Sequence, residues 1–186
     1  MKAWGISLLL LITILHGQTI SDFSLKGWDG KMISSNQFKN NKAWVVVFSS
    51  HACVFSQKYE GRILSLANTY IPKGVSFMMI NANDPSQSEE ESSLRIKKYG
   101  EEKKYPFLYL PDETQQIANI LGATRNPEVF ILVGNQIVYH GAIDNNPLLP
   151  ENVTERYVEN VLTEILSGKS VSFTEKPVNG CMIKRK

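Results

Sequence analysis

The chain has 186 residues, 42% of them hydrophobic and 20% charged, which suits one packed domain and excludes a wholly disordered chain or a multi-span membrane protein. Lys and Arg number 20 against 18 Asp and Glu, and the resulting formal charge of +2 supplies no broad basic surface for nucleic acid. With Cys53 and Cys181 as the 2 cysteines, a disulfide-dense scaffold and a four-cysteine zinc site are both excluded.

Lys2 precedes an apolar stretch from Ile6 to Leu15, and His16-Gly17-Gln18 then begins a polar chain. A charged start, a short apolar centre and a small-residue exit predict a secretory signal peptide over residues 1–17, removed after Gly17. The apolar run is shorter than the ~20 residues a spanning helix needs, so no stable membrane insertion is expected after removal. The expected location is exported, periplasmic or secreted, where disulfides persist.

Ala43 to Ser49 is rich in β-branched and aromatic residues without alternation, which predicts a strand buried on both faces. After Ser49-Ser50-His51-Ala52, the residues Phe55, Tyr59, Ile63, Ala67 and Tyr70 recur at helical spacing, and Pro72-Lys73-Gly74 closes that helix. Val75 to Ile80 repeats the buried-strand pattern and ends in the turn cluster Asn81 to Pro85, so the two strands are expected to be parallel with a right-handed crossover. A surface helix is expected over Glu89 to Tyr99, a strand over Phe107 to Leu110, and a short helix from Glu113 to Leu121 ending at Gly122. Glu128 to Val133 and Gln136 to His140 flank Gly134-Asn135 and predict an antiparallel hairpin. Glu151 to Leu166 supplies a last helix ended by Gly168. The domain is therefore drawn over residues 18–168, with residues 169–186 as a C-terminal tail containing strand-like pieces.

A parallel unit, then a hairpin, then a terminal helix is the order of a thioredoxin-like α/β fold, with a central mixed sheet flanked by helices. The stretch from Ala43 to Ile63, with its Ser50-His51-Ala52-Cys53 site and Tyr59-Glu60-Gly61-Arg62-Ile63, resembles the peroxiredoxin-like branch of the thioredoxin superfamily, the redoxin or alkyl hydroperoxide reductase/thiol-specific antioxidant group. Matching landmarks follow in order at Asn81 to Pro85, Tyr109 to Gln115, Gly122 to Phe130, Tyr139 to Asp144 and Gly180 to Lys184. The resemblance runs from about Ser21 to the C-terminus and implies that Asn126-Pro127 is the family's cis-proline, facing the thiol site. Relatives of this branch commonly have Cys-Asn-His-Cys-Pro where this chain has Ser50-His51-Ala52-Cys53-Val54, so the first cysteine is serine and the proline is valine. Peroxiredoxins carry Thr or Ser three residues before one reactive cysteine, an arrangement that Ser50 and Cys53 resemble. They also have a proline seven residues before it, where Val46 stands here, and an arginine against the thiolate, for which Arg125 is the candidate.

A cysteine in the first turn of a helix leaving a buried strand sits where unpaired N–H groups and the helix dipole favour the thiolate. Cys53 is thus the expected reactive thiol, Ser50 a hydrogen-bond donor to it, and Cys181 the other thiol able to convert a sulfenic acid to a disulfide. His51, Arg125 and Pro127 are the expected substrate-binding residues. A buried, inert Cys53 or a fixed Cys53–Cys181 bridge remains open as the structural alternative. His51, Cys53, His140 and Cys181 are ligand types for copper or zinc, but only His51 and Cys53 are closely spaced, so neither a metal nor a cofactor is expected. Glu60 reads as a proton acceptor near the site or, more simply, as part of a solvated helix face. The expected function is an exported thiol-dependent oxidoreductase, reducing peroxide or exchanging disulfides through Cys53, with Cys181 or an external thiol resolving. Its partners would be a peroxide or disulfide substrate and a thiol reductant, with no nucleic acid. The alternatives are a non-catalytic thioredoxin-fold binding module that keeps the groove beside Pro127, and a metal-delivery protein.

Overall fold

The computed structural model describes residues 18–186, so the expected signal peptide lies outside the described residues. The strands are β1 (Gln18–Thr19), β2 (Ser24–Lys26), β3 (Met32–Ser34) and β4 (Ala43–Phe48), after which α1 (Val54–Tyr70) leads to β5 (Val75–Asn81). Next come α2 (Ser93–Lys103), β6 (Leu108–Pro111), α3 (Gln116–Leu121), β7 (Arg125–Asn126), β8 (Glu128–Val133) and β9 (Gln136–Gly141). The chain ends with α4 (Tyr157–Leu166), β10 (Glu175–Lys176) and β11 (Cys181–Met182). The main sheet has the order β1-β9-β8-β4-β5-β6, with β10 also joining β9. The pairs β4–β5 and β5–β6 are parallel, while β4–β8 and β8–β9 are antiparallel, so the sheet is mixed.

β4 is buried at every position because its side chains serve two cores by turns. Ala43, Val45 and Val47 meet Tyr59, Ile63 and Ala67 of α1, Ile96 of α2 and Val158, Val161 and Leu162 of α4. Trp44, Val46 and Phe48 face the other way, toward Ile117, Ala118 and Leu121 of α3 and Phe23 and Leu25 near the β2–β3 hairpin. Helices therefore cover both sheet faces. Tyr59 and Arg62 of α1 also hold the loop after β9: the Tyr59 hydroxyl donates to Asp144 Oδ1 at 3.0 Å, and Arg62 Nη1 donates to Asp144 Oδ2 at 2.6 Å.

The element boundaries differ from the sequence pattern where backbone conformation breaks a helix. Glu89–Glu91 is a separate 3-10 turn, and extended Ser92 (φ −68°, ψ 148°) divides it from α2. Gln115 is left-handed (φ 59°), so α3 starts at Gln116 rather than Glu113. Its first turn is capped from outside, with Asp112 Oδ2 accepting from the N–H groups of Ile117 and Ala118, each at 2.9 Å. Pro150–Asn152 likewise forms a 3-10 turn before α4. Residues 169–186, expected as a tail, run back over the domain: β10 pairs parallel with β9 and β11 pairs antiparallel with β7.

Candidate active site

β4 ends at Phe48, and Ser49 to Ala52 turn the chain so that Cys53 becomes the N-cap of α1. The turn closes with Cys53 N–H donating to Ser50 O at 3.0 Å. No side chain caps the helix start, so its first amides keep an unmet need for an acceptor. Cys53 is 4% exposed, and its sulfur is bonded to that of Cys181 with an S–S distance of 2.01 Å and a Cα–Cα distance of 6.0 Å. The sulfur is thus buried and both cysteines are in the bridge, the pairing expected both of a resolving pair in its oxidised state and of a fixed structural disulfide.

Cys181 arrives there by strand pairing. β11 lies antiparallel to β7 with Cys181 opposite Asn126 and Met182 opposite Arg125. Asn126-Pro127 is cis, as the resemblance implied, and the Asn126 carbonyl oxygen lies 3.1 Å from Cys53 Sγ. Gly180 is required at the crossing because a Cβ there would stand 2.5 Å from Asn126 O. Beyond the bridge the segment stays clamped. Ile183 is buried and its N–H donates to Thr124 O at 2.9 Å. Lys184 N–H donates to Asn83 Oδ1 at 2.8 Å, and Lys184 O accepts from Asp84 N–H at 2.9 Å and Gln115 Nε2 at 2.8 Å.

Ser50 does not present its proton to the sulfur. Its hydroxyl donates to the Glu91 carboxylate, 3.0 Å from both oxygens, and accepts from Ala52 N–H at 3.2 Å. Glu91 is buried, with Asn81 Nδ2 donating at 2.8 Å and Lys184 Nζ at 3.8 Å as the countercharge. The His51 ring stacks on Tyr99 at 4.7 Å, its Nε2 is 3.6 Å from Glu90, and its buried Nδ1 has no partner. It lines a cavity of about 10 Å³, room for roughly one water, together with Glu60, Tyr99 and Tyr105. Glu60 is not on a solvated face: Tyr99 Oη donates to it at 2.5 Å and Lys103 Nζ at 2.7 Å. Burial pushes the Tyr105 hydroxyl up, and the neighbouring Glu60 charge adds to the shift.

Arg125 is turned to the C-terminal segment, where Nη1 donates to Gly180 O at 3.4 Å. Its backbone N–H is held by the Glu128 carboxylate at 2.9 Å. Pro127 and Ser50 are thus brought to the sulfur site, while Arg125 braces β11. Among the described residues no group of three or more His, Cys, Asp and Glu is placed to hold a metal ion. His140 stacks on Phe130 and faces Glu175. Sequence reasoning did not find Glu91, Asn83 or Lys184. Glu91 lies in an acidic run that reads as surface, and the contacts of Asn83 and Lys184 span 101 residues.

The chain is similar along most of its length to two solved proteins without an assigned activity. An uncharacterized conserved protein from Geobacillus kaustophilus is 36% identical with a TM-score of 0.83, covering 91% of this chain and 92% of its own. A hypothetical protein from Sinorhizobium meliloti 1021 is 30% identical with a TM-score of 0.84, covering 91% and 94%. At the level of fold alone, the peroxidoxin BcpB from Mycobacterium tuberculosis matches at 16% identity and a TM-score of 0.58, covering 82% of this chain and 96% of its own. A putative thioredoxin from Neisseria meningitidis matches at 18% and 0.56, covering 67% and 79%. No curated protein matches the chain. The fold is thus thioredoxin-like, and since the AhpC/TSA family pattern covers residues 16–141, the chain belongs to the AhpC/TSA family, within the redoxin branch of the thioredoxin superfamily.

Proposed function

We propose that the protein is an exported thiol-dependent oxidoreductase whose working parts are Cys53 and Cys181. Family membership supports thiol-disulfide oxidoreductase or peroxidase activity in general. The observation that carries the specific reading is the bridge itself, which joins a helix N-cap to a strand beside Pro127. Disulfide exchange is the better supported chemistry. Two external thiols give up two electrons and become a disulfide, while the Cys53–Cys181 bond breaks and both protein sulfurs end as thiols; the reverse reaction reduces a disulfide substrate.

Peroxide reduction uses the same pair. Cys53 thiolate attacks the O–O bond, forming S–O and releasing an alcohol or water. Cys181 then attacks the sulfenic sulfur, water leaves, and the bridge closes. Two features favour exchange over this route. The Ser50 proton is committed to Glu91, and Arg125 is engaged with Gly180 rather than with the sulfur. The binding-module alternative is the less supported, since β11 already occupies the edge of β7 beside Pro127.

The test is to equilibrate the native protein in glutathione and dithiothreitol redox buffers and count thiols. A bridge that opens reversibly while the protein stays folded supports the reading. One that opens only on unfolding overturns it. Pre-reduced protein given one equivalent of hydrogen peroxide reports the second route, read as sulfenic acid on Cys53 followed by bridge closure. Export rests on the Lys2 to Gly17 pattern, and N-terminal sequencing of the mature protein checks it, with Gln18 expected first.

A further inference from the structure

We infer that an external thiolate attacks Cys181 rather than Cys53, so that the mixed disulfide with a dithiol partner is carried by β11 while Cys53 departs as the leaving thiolate. This rests on the redox reading above and goes beyond it by assigning the two sulfurs different tasks.

Thiol–disulfide exchange needs the incoming sulfur to approach in line with the S–S bond, so access to each sulfur decides between them. Cys53 is 4% exposed, and the Asn126 carbonyl oxygen stands 3.1 Å from its Sγ. A carbonyl oxygen that close sets a negative partial charge against any thiolate approaching Cys53. Cys181 is half-buried and lies on a two-residue strand whose other edge pairs with no strand among the described residues. The Cys181 end of the bridge is therefore the more open of the two.

The leaving-group requirement points the same way. The sulfur that departs should be the better stabilised thiolate. Cys53 occupies an N-cap without a side-chain acceptor, where a thiolate can take the role that a Ser or Asp side chain has at other helix starts. Cys181, in a strand, gains no such set of amides. The buried Glu91 carboxylate opposes a second negative charge in this region, and Lys184 Nζ at 3.8 Å offsets it.

The steps balance. The partner thiolate forms a bond to Cys181 Sγ, the Cys53–Cys181 bond breaks, and its electron pair leaves on Cys53. The second thiol of the partner, as thiolate, then attacks the partner sulfur of the mixed disulfide, and Cys181 leaves as a thiolate that takes a proton from water. The partner ends as a disulfide and the chain has gained two electrons. The clamps on Ile183 and Lys184 keep Cys181 close to Cys53 throughout, which favours the return reaction.

The experiment uses the oxidised full chain and glutathione as the probe. Samples are quenched in acid at early times and the mixed disulfides are located by peptide mass spectrometry. At least tenfold more glutathione on Cys181 than on Cys53 is expected. Equal amounts, or an excess on Cys53, would overturn the assignment and leave the proposed redox function standing. No mixed disulfide on either cysteine of the folded protein overturns both. In a parallel arm, Cys181 in Cys53→Ser should react with 5,5′-dithiobis(2-nitrobenzoate) at least tenfold faster than Cys53 in Cys181→Ser; the reverse order counts against the assignment.

Discussion

Lys184 Nζ lies 3.8 Å from the buried Glu91 carboxylate, and Lys184 stands three residues beyond Cys181. One short segment therefore brings both a sulfur to Cys53 and a positive charge to Glu91. Lys184→Met should leave Glu91 with hydrogen bonds but no countercharge. Because the lysine side chain is 40% exposed, the expected loss is about 1 kcal/mol rather than the larger cost of breaking a fully buried pair. Urea unfolding of the oxidised protein at pH 7 measures it, and a loss above about 3 kcal/mol would mean that the pair is screened far less than this exposure implies.

Gly180→Ala tests the crossing of β11 over Asn126. A methyl group at 2.5 Å from a backbone oxygen cannot be absorbed by a side-chain rotation, so the strand must move. Overpacking of this kind costs about 1–3 kcal/mol, or roughly tenfold or more in the bridge equilibrium. In glutathione buffers the variant should be reduced at a correspondingly weaker reductant ratio than the wild type. An unchanged ratio would show that β11 can shift without affecting the bridge.

The bridge spans 128 residues, so its removal frees a very long loop in the unfolded chain. On the loop-entropy model Cys53→Ala/Cys181→Ala should lose about 4–5 kcal/mol in denaturant unfolding, with the m-value rising as the unfolded state expands. A loss below about 1 kcal/mol would show that the reduced tail stays seated well enough to replace the covalent link.

Much of the scaffold was legible in local pattern. The unbroken apolar runs in β4 and β5 mark strands covered on both faces, and Tyr59, Ile63 and Ala67 mark the buried stripe of α1. The helix starts were not legible where one residue leaves the helical region, as at Gln115. The candidate site was legible where its residues are marked by local pattern, in Cys53 at the start of α1 and in Pro127. Its partners were hidden because they depend on contacts between distant segments. Glu91 becomes a buried group only when Ser50 and Asn81 are folded against it.

Asp112 offers a pH test. Burial raises its carboxyl above the usual carboxylate range, although the amides of Ile117 and Ala118 pull it down. A folded value above the unfolded one means that the folded state holds this proton more tightly, so its contribution is present at low pH and is lost as pH rises through the raised value. Asp112→Asn keeps an acceptor for the α3 amides and removes the charge. Its stability relative to the wild type should therefore improve from pH 3 to pH 7, read by urea midpoints. A constant difference across that range would contradict the raised value.

Tyr59→Phe removes one donor to Asp144 while preserving the ring beneath the Arg62 guanidinium, 3.9 Å from its centre. The expected cost is about 1–2 kcal/mol, because Arg62 still holds the other carboxylate oxygen. Thermal unfolding compared with Arg62→Ala would separate the hydroxyl from the ion pair, and a neutral Tyr59→Phe would assign the loop's anchoring to Arg62 alone.

The pairing of β11 with β7 also bears on how the molecule behaves among its own copies. Among the described residues, the two-residue strand Arg125–Asn126 pairs with Cys181 and Met182 alone. Uncovered backbone amides and carbonyls at a sheet margin invite strands from other chains. Cutting the chain after Pro177 removes that cover, and the truncated chain is expected to self-associate more with rising concentration than the intact one, as read by light scattering; equal scattering would show that the exposed edge recruits no other chain.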